Sequence, residues 1–183
     1  MEHGFLDNKT VINQFDSIAW LNDNVPGFRD LQQQHKDAVM HFSLLWSLLE
    51  AQALECSASS SAILKKCQKW NQQRRLKLDR FQCFLDYFNA RYIEKGKPND
   101  HFDYLHLRKH DKPELVRNVL MGIETDLGNI LAALLIIVYR YRNNLFHGIK
   151  WGYEFHNQLD NFTNANRLLA MVIELNSQVE RAI

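Results

Sequence analysis

The sequence predicts an all-α protein, an antiparallel helical bundle of about four core helices with one or two extra helices around them. Three observations predict it. Apolar residues recur at spacings of three and four in segment after segment, and no segment sustains the period-two alternation of a half-buried strand. Breakers are scarce, seven Gly and three Pro in 183 residues, with no Ser/Gly-rich linker and no internal repeat. One compact domain over residues 1–183 follows, with residues 1–25 as an N-terminal extension. At 46% hydrophobic residues the chain is long enough to bury one sizeable core.

The elements follow in order. Val11, Ile12, Phe15 and Ile18 leave two options for the first twenty-odd residues, an added helix or a segment exchanged with a second subunit. Across residues 28–56, Leu31, Ala38, Val39, Phe42, Leu45, Trp46, Leu49 and Ala53 keep the helix period, and Asp23 or Asn24 with Pro26 marks the start. The hydroxyl cluster Ser57 to Ser61 breaks that helix and supplies N-caps for a second, through about Asn71. Phe81, Phe84, Leu85, Phe88 and Tyr92 predict a third, which stops before Gly96-Lys97-Pro98-Asn99. A loop of roughly fifteen residues comes next. Pro113 suits the first position of a short helix through Met121 that Gly122 ends or bends. The next helix spans about Asp126 to His147, with Gly148 at the left-handed terminating position. A last one, about His156 to Val179, carries Leu159, Phe162, Leu168, Leu169, Val172, Ile173 and Leu175 on one face. The aromatics Phe15, Trp20, Phe42, Trp46, Phe84 and Phe88 recur at helical spacing and read as core.

Several function classes are disfavoured. The apolar run at residues 130–138 is roughly half of what a bilayer-spanning helix needs, and the N-terminus lacks the pattern of a secretory signal. The expectation is a soluble, cytoplasmic chain with no membrane partner. Cys56, Cys67 and Cys83 are odd in number and too far apart for a zinc pattern, so they read as reduced, mostly buried small hydrophobes. No cofactor and no metal site is expected.

The candidate chemistry lies where the most apolar stretch ends, in Tyr139-Arg140-Tyr141-Arg142-Asn143-Asn144-Leu145-Phe146-His147-Gly148. Arginine holds phosphate oxygens in a planar, bidentate geometry, and histidine moves protons near neutral pH. The pairing of Arg142 with His147 therefore suits phosphodiester chemistry. On a continuous helix Tyr139, Asn143 and His147 lie four apart on one face, whereas Arg142 is rotated away from His147, so one protomer does not by itself complete a site.

Arg142-Asn143 followed by His147 resembles the Arg-x(4-6)-His signature of HEPN domains, and Arg-Asn-Asn-Leu-Phe-His-Gly is similar to abortive-infection and toxin-like members of that family. The resemblance implies a helical bundle and a homodimer whose two motifs share one composite cleft. It also implies metal-independent endoribonuclease activity, in which the ribose 2'-hydroxyl attacks the adjacent phosphate and leaves a 2',3'-cyclic phosphate. In that scheme His147 is general acid or base, its imidazolium favoured by the helix C-terminus. Arg142 stabilises charge on the non-bridging oxygens, and Asn143 orients His147 or the phosphate. Glu50 and Tyr139 are candidate supporting residues. Where some toxin members carry a tyrosine two positions after the histidine, this chain has Ile149, and Tyr153 is not equivalent. RNA is the implied partner, together with an antitoxin or regulatory protein.

Other readings stand beside this one. Arg142 pairs with a carboxylate such as Glu50 and His147 caps its own helix in a purely structural alternative. Glu50 either orients the motif residues or belongs to a solvent-facing stripe with Gln52 and Glu55. The chain as a whole reads alternatively as a non-catalytic helical module that binds RNA, nucleotide or a partner protein.

The formal charge of +1 hides an asymmetry. Residues 1–55 carry eight acidic against three basic side chains, whereas Lys65, Lys66, Lys69, Arg74, Arg75, Lys77 and Arg80 crowd one short segment with Asp79 as its only acid. With Trp70 among them, this segment can track an RNA backbone and offer a stacking surface, be a solvated helix face, or dock an acidic partner. His101, His106 and His110 form a second cluster. A helical turn through His106 and His110 would present both to a metal ion, the basis of a metal-dependent hydrolase reading, although the segment has no further metal framework.

Overall fold

A computed structural model describes residues 15–146 and 158–180, with side chains through residue 177. Among the described residues it is an all-α bundle of eight helices with one two-stranded hairpin. The helices are α1 Ser17–Asn24, α2 Gln33–Ala53, α3 Ser60–Gln72, α4 Gln82–Tyr92, α5 Asp100–Asp103, α6 Pro113–Leu120, α7 Leu127–Phe146 and α8 Leu159–Glu180. None of them is long and apolar enough to cross a membrane.

Local chemistry sets the boundaries. Asp16 caps α1 by accepting from the backbone N–H groups of Ile18 and Ala19 at 3.0 and 2.9 Å. This helix corresponds to the first of the two options left open for the N-terminal segment, an added helix, and it ends at Asn24; α2 itself is shorter than residues 28–56. Turn hydrogen bonds from Phe28 to Val25 and from Leu31 to Phe28 replace its first turn. Its end is closed by Glu55 and Cys56, both at positive φ (53° and 55°), with the Cys56 N–H reaching back to the Glu50 carbonyl. Ser59 caps α3 through the Ala62 N–H, Pro113 opens α6, and Gly122 at φ 71° ends it. Asp126 caps α7 through the Asn129 N–H at 2.9 Å. The expected loop after α4 is partly ordered. Strands β1 Ile93–Glu94 and β2 Lys97–Pro98 pair across Lys95-Gly96, both at positive φ, the two-residue turn that matches strand twist.

Helix α7 is the centre. Residues 130–138 are buried on every side, so the other helices must surround it. α3 lies antiparallel along it. Ser60 lies at the level of Arg140, joined to it through Asp111, while Gln68 and Asn71 bond Asp126 and Asn129 at the opposite end. The two helices approach closely at Gly128, where a Cβ would come 3.1 Å from the Gln68 side chain. α2 and α8 run in the same sense, tied by Asn166 and Asn176 donating to the carbonyls of Ala38 and Gln52. α4 runs antiparallel to α8, with Arg80 near Glu174 and Tyr87 donating to Asn161 at 2.7 Å.

Two expectations about the core need correction. Phe42, Trp46, Phe84 and Phe88 are buried, but Phe15 and Trp20 are 70% and 49% exposed, because α1 buries no residue of its own. Of the cysteines only Cys67 is buried, and burial pushes its thiol well above the ordinary range. Cys56 and Cys83 are exposed, the first at the left-handed corner after α2 and the second on the outer face of α4. Val11 and Ile12 lie outside the described residues.

Among the described residues the core holds one fully buried charge pair. Arg140 is 3% exposed, and its Nη1 bonds Asp111 Oδ2 at 3.2 Å while Nε donates to the Leu105 carbonyl. Asp111 is fully buried and also accepts from the Ser60 hydroxyl and the Arg108 N–H, both at 2.9 Å. Burial holds the Arg140 pKa below its usual value, opposed by the Asp111 charge. The pair is thus neutralised and satisfied on several sides, the condition for tolerating buried charge.

Nearby, the hydroxyls of Tyr92 and Tyr141 share a buried hydrogen bond. Burial raises the pKa of both, and for Tyr141 the neighbouring Tyr92 adds to the rise. Tyr87, less enclosed, is pushed up to about 12.

Removing one partner of the ion pair leaves the other charged and buried. Asp111→Ala is expected to lower unfolding free energy by about 3–5 kcal/mol in urea melts, whereas Asp111→Leu combined with Arg140→Met costs less than the single change. The tyrosines predict an alkaline limit. Each keeps its proton in the folded state and loses it near pH 10 on unfolding, so the unfolded state binds fewer protons and stability falls as pH rises past about 10, by up to ~1.4 kcal/mol per pH unit for each group. Tyr141→Phe should flatten that slope in melts between pH 9 and 11.

Candidate functional site

Three side chains at the C-terminal end of α7 face the second half of α2. Tyr139 stacks on Trp46 with ring centroids 5.7 Å apart and an interplanar angle of 30°, and its hydroxyl approaches the Ala58 carbonyl at 3.4 Å. One turn on, Arg142 and Phe146 border a cleft of about 340 Å³ whose other walls are Ser43, Trp46, Ser47, Glu50, Ala51 and Cys56. Among the described residues the cleft forms where α2 ends at the left-handed corner Glu55-Cys56 and the chain turns away into α3, beside the last turn of α7.

Among the described residues the Arg142 guanidinium is held by an amide and a ring. Its Nη1 donates to Asn143 Oδ1 at 3.1 Å, its carbon lies 5.2 Å from the Phe146 ring centroid, and its Nε–H is buried with no hydrogen-bond partner. Among the described residues no acidic group comes within ion-pairing distance of it. The expected alternative, an Arg142–Glu50 pair, is not formed. Glu50 lines the same cleft, but its Oε2 accepts from the Trp46 indole at 2.8 Å and its Oε1 from the Ala58 N–H at 3.3 Å. Its carboxylate ties the α2–α3 corner, and Glu50 is half-buried rather than part of a solvent-facing stripe with the exposed Gln52 and Glu55.

Asn143 is buried, and its recorded partner is Arg142. It therefore positions the guanidinium from behind rather than pointing into the cleft. His147, with Gly148, Ile149 and Tyr153, lies outside the described residues.

The basic segment divides by side. Lys65, Lys69, Arg74 and Lys77 are exposed and Lys66 and Arg75 half-buried, on α3 and the turn after it. Trp70 cannot serve as a stacking surface. It is 2% exposed, because it shares the inward face of α3 with Ile63 and Cys67, and the Lys66 ammonium sits 5.3 Å from its ring centroid. α3 starts at the edge of the cleft, since Cys56 lines the cleft and Ser59 caps the helix.

The histidine cluster does not have the geometry expected of it. His106 lies in a left-handed turn (φ 50°) after α5, and His110 in a separate 3-10 turn, Lys109–Asp111, so no single helical turn presents both. Among the described residues no group of three or more His, Cys, Asp or Glu is arranged to hold a metal ion.

Two features were not anticipated from sequence. The buried ion pair uses Arg140 rather than Arg142, and Asp111 sits among charged loop residues that gave no sign of burial. Phe146 is 60% exposed at the cleft mouth, on the side of the helix that carries Arg142 four residues earlier. That spacing was legible, because residues four apart on a helix are surface neighbours. Comparison with protein-family models, with curated proteins and with solved structures finds no match to this chain.

Proposed function

We propose that this chain is a metal-independent endoribonuclease of HEPN type, acting as a homodimer. The observation that carries the reading is Arg142, a guanidinium at the mouth of a cleft, oriented by Asn143 and Phe146 and paired with no carboxylate among the described residues. A charge so placed is available to an anion, and the guanidinium donors not taken by Asn143 or buried suit a phosphate oxygen. His147 follows Phe146 directly in the chain and supplies the acid–base group, so that the 2'-hydroxyl loses its proton, attacks the adjacent phosphorus and expels the 5'-oxygen, leaving a 2',3'-cyclic phosphate. Arg142 stabilises the charge that builds on the non-bridging oxygens. Lys65, Lys69, Arg74 and Lys77 hold the flanking strand by charge alone.

The dimer is supported by α2. Met40, Leu44 and Leu48 stand four apart on its outer face and are 52%, 65% and 42% exposed, an apolar stripe beside Ser47 and Ala51 of the cleft wall. A second copy packed on this stripe brings two clefts together, the arrangement that lets two Arg142 and two His147 side chains address one phosphodiester. A toxin or anti-phage role, held in check by an antitoxin or regulatory protein, is the biological setting that fits such an activity.

A second reading has its own observation. The described cleft offers one cation and one exposed aromatic ring, a constellation sufficient for binding RNA, nucleotide or a partner without reaction.

The two separate in one experiment, RNA incubated in EDTA with wild type, Arg142→Ala and His147→Ala, with product ends identified. The enzyme reading expects wild-type cutting that leaves cyclic phosphates and a loss of about 10²-fold or more in each variant. RNA bound but uncut by folded, dimeric wild type sinks it in favour of the binding module.

A further inference from the structure

We infer that Phe146 is a nucleobase-stacking residue, which makes the Arg142 cleft a site for unpaired nucleotides and rests on the RNA reading above. Single exposed apolar residues are ordinary on protein surfaces and need no explanation. Phe146 differs in its surroundings. It closes the last described turn of α7, it lines a cleft, and the Arg142 guanidinium lies 5.2 Å from its ring centroid. The cation lies over part of the ring and leaves much of it open, in keeping with 60% exposure.

The pair therefore presents a cationic edge beside an apolar ring surface. One nucleotide offers the complementary pair, a phosphate and a flat base joined through a sugar. With phosphate oxygens on the Arg142 donors, the base of the same or the next nucleotide reaches the open part of the Phe146 ring, and stacking there is sequence-tolerant because every base has a π-face. A base in a duplex is already stacked on its neighbours, so such a site selects single strands, loops and bulges. Trp70 is sealed in the core and offers no such surface, whereas Phe146 lies against the guanidinium.

The chemistry predicts coupling between one ring and one base. Binding is measured with 2'-O-methylated oligonucleotides, which lack the attacking hydroxyl and persist, each carrying a single abasic position in turn. Wild type is expected to lose about tenfold or more in affinity at one position, corresponding to one stacked base. Phe146→Leu should lose a similar factor on the intact strand and show no further loss at that position, and Phe146→Trp should restore the abasic sensitivity. Because the side chain is exposed, none of these changes disturbs the core, and circular dichroism checks that. If Phe146→Leu keeps the wild-type abasic sensitivity, stacking lies elsewhere and the inference fails. If it binds RNA as wild type does but sediments as a monomer where wild type is a dimer, the ring belongs to a subunit interface and the inference fails too. Arg142→Ala separates the premise, since unchanged RNA affinity in that variant overturns the RNA reading of the cleft, whereas weakened binding with an unresponsive Phe146 overturns the stacking alone.

Discussion

The fold depends on the burial of an arginine just beyond the stretch of α7 that is enclosed on every side. Residues 130–138 of α7 are enclosed completely, and two residues later Arg140 enters the same enclosure with its charge. An unpaired guanidinium at that depth would cost several kcal/mol, so the chain must deliver a carboxylate and further acceptors to it. Asp111 arrives from the segment between α5 and α6, and the Leu105 carbonyl from the same segment. The requirement explains why a stretch rich in His, Lys and Asp folds inward at one point and how the start of α3, through Ser60, is drawn to the same carboxylate.

That anchoring determines where the cleft can be. With the first turn of α3 held against Arg140, the chain from α2 must cross to it in six residues, and it does so through the left-handed pair Glu55-Cys56. Glu50 reinforces the crossing by accepting from both Trp46 in α2 and the Ala58 N–H. Trp46 in turn carries Tyr139 on its face. The last turn of α7 thus emerges past a corner tied by Glu50, and Arg142 stands beside it with no carboxylate partner among the described residues. Its nearest constraints, an amide oxygen and a ring, orient it without neutralising it.

The helices were legible because their information is local. Apolar spacing, an N-cap from the Ser57 to Ser61 cluster, Pro113 and Gly122 each act over a few residues, and each takes the place read for it, with Ser59 as the capping serine. The misreadings involve long-range facts. Trp70 sits among lysines in sequence, yet its position on the helix, three after Cys67 and seven after Ile63, turns it inward, and only the packing of α3 on α7 decides which stripe faces the core. Phe15 and Trp20 have helical spacing, yet α1 finds no layer to pack against. Asp111 lies 29 residues from Arg140, so no window reveals the pair. In the motif, the sequence singles out Arg142, while the distinction between it and Arg140 follows only from which side of α7 is covered.

That distinction is the core of the functional argument. Two residues on a helix are separated by roughly 200° of rotation, so Arg140 and Arg142 necessarily point to nearly opposite sides. One side meets the folded loop and becomes a structural charge, satisfied by three acceptors. The other meets the gap beyond the α2 corner. There the guanidinium leaves its Nε–H sealed and unbonded, a deficit of about 1–3 kcal/mol that a purely structural arginine would be expected to avoid by turning toward Glu50 or toward water. It is held instead by Asn143 and Phe146, and the fold bears the cost. The guanidinium is thereby ordered on the wall of the cleft while no carboxylate among the described residues neutralises it.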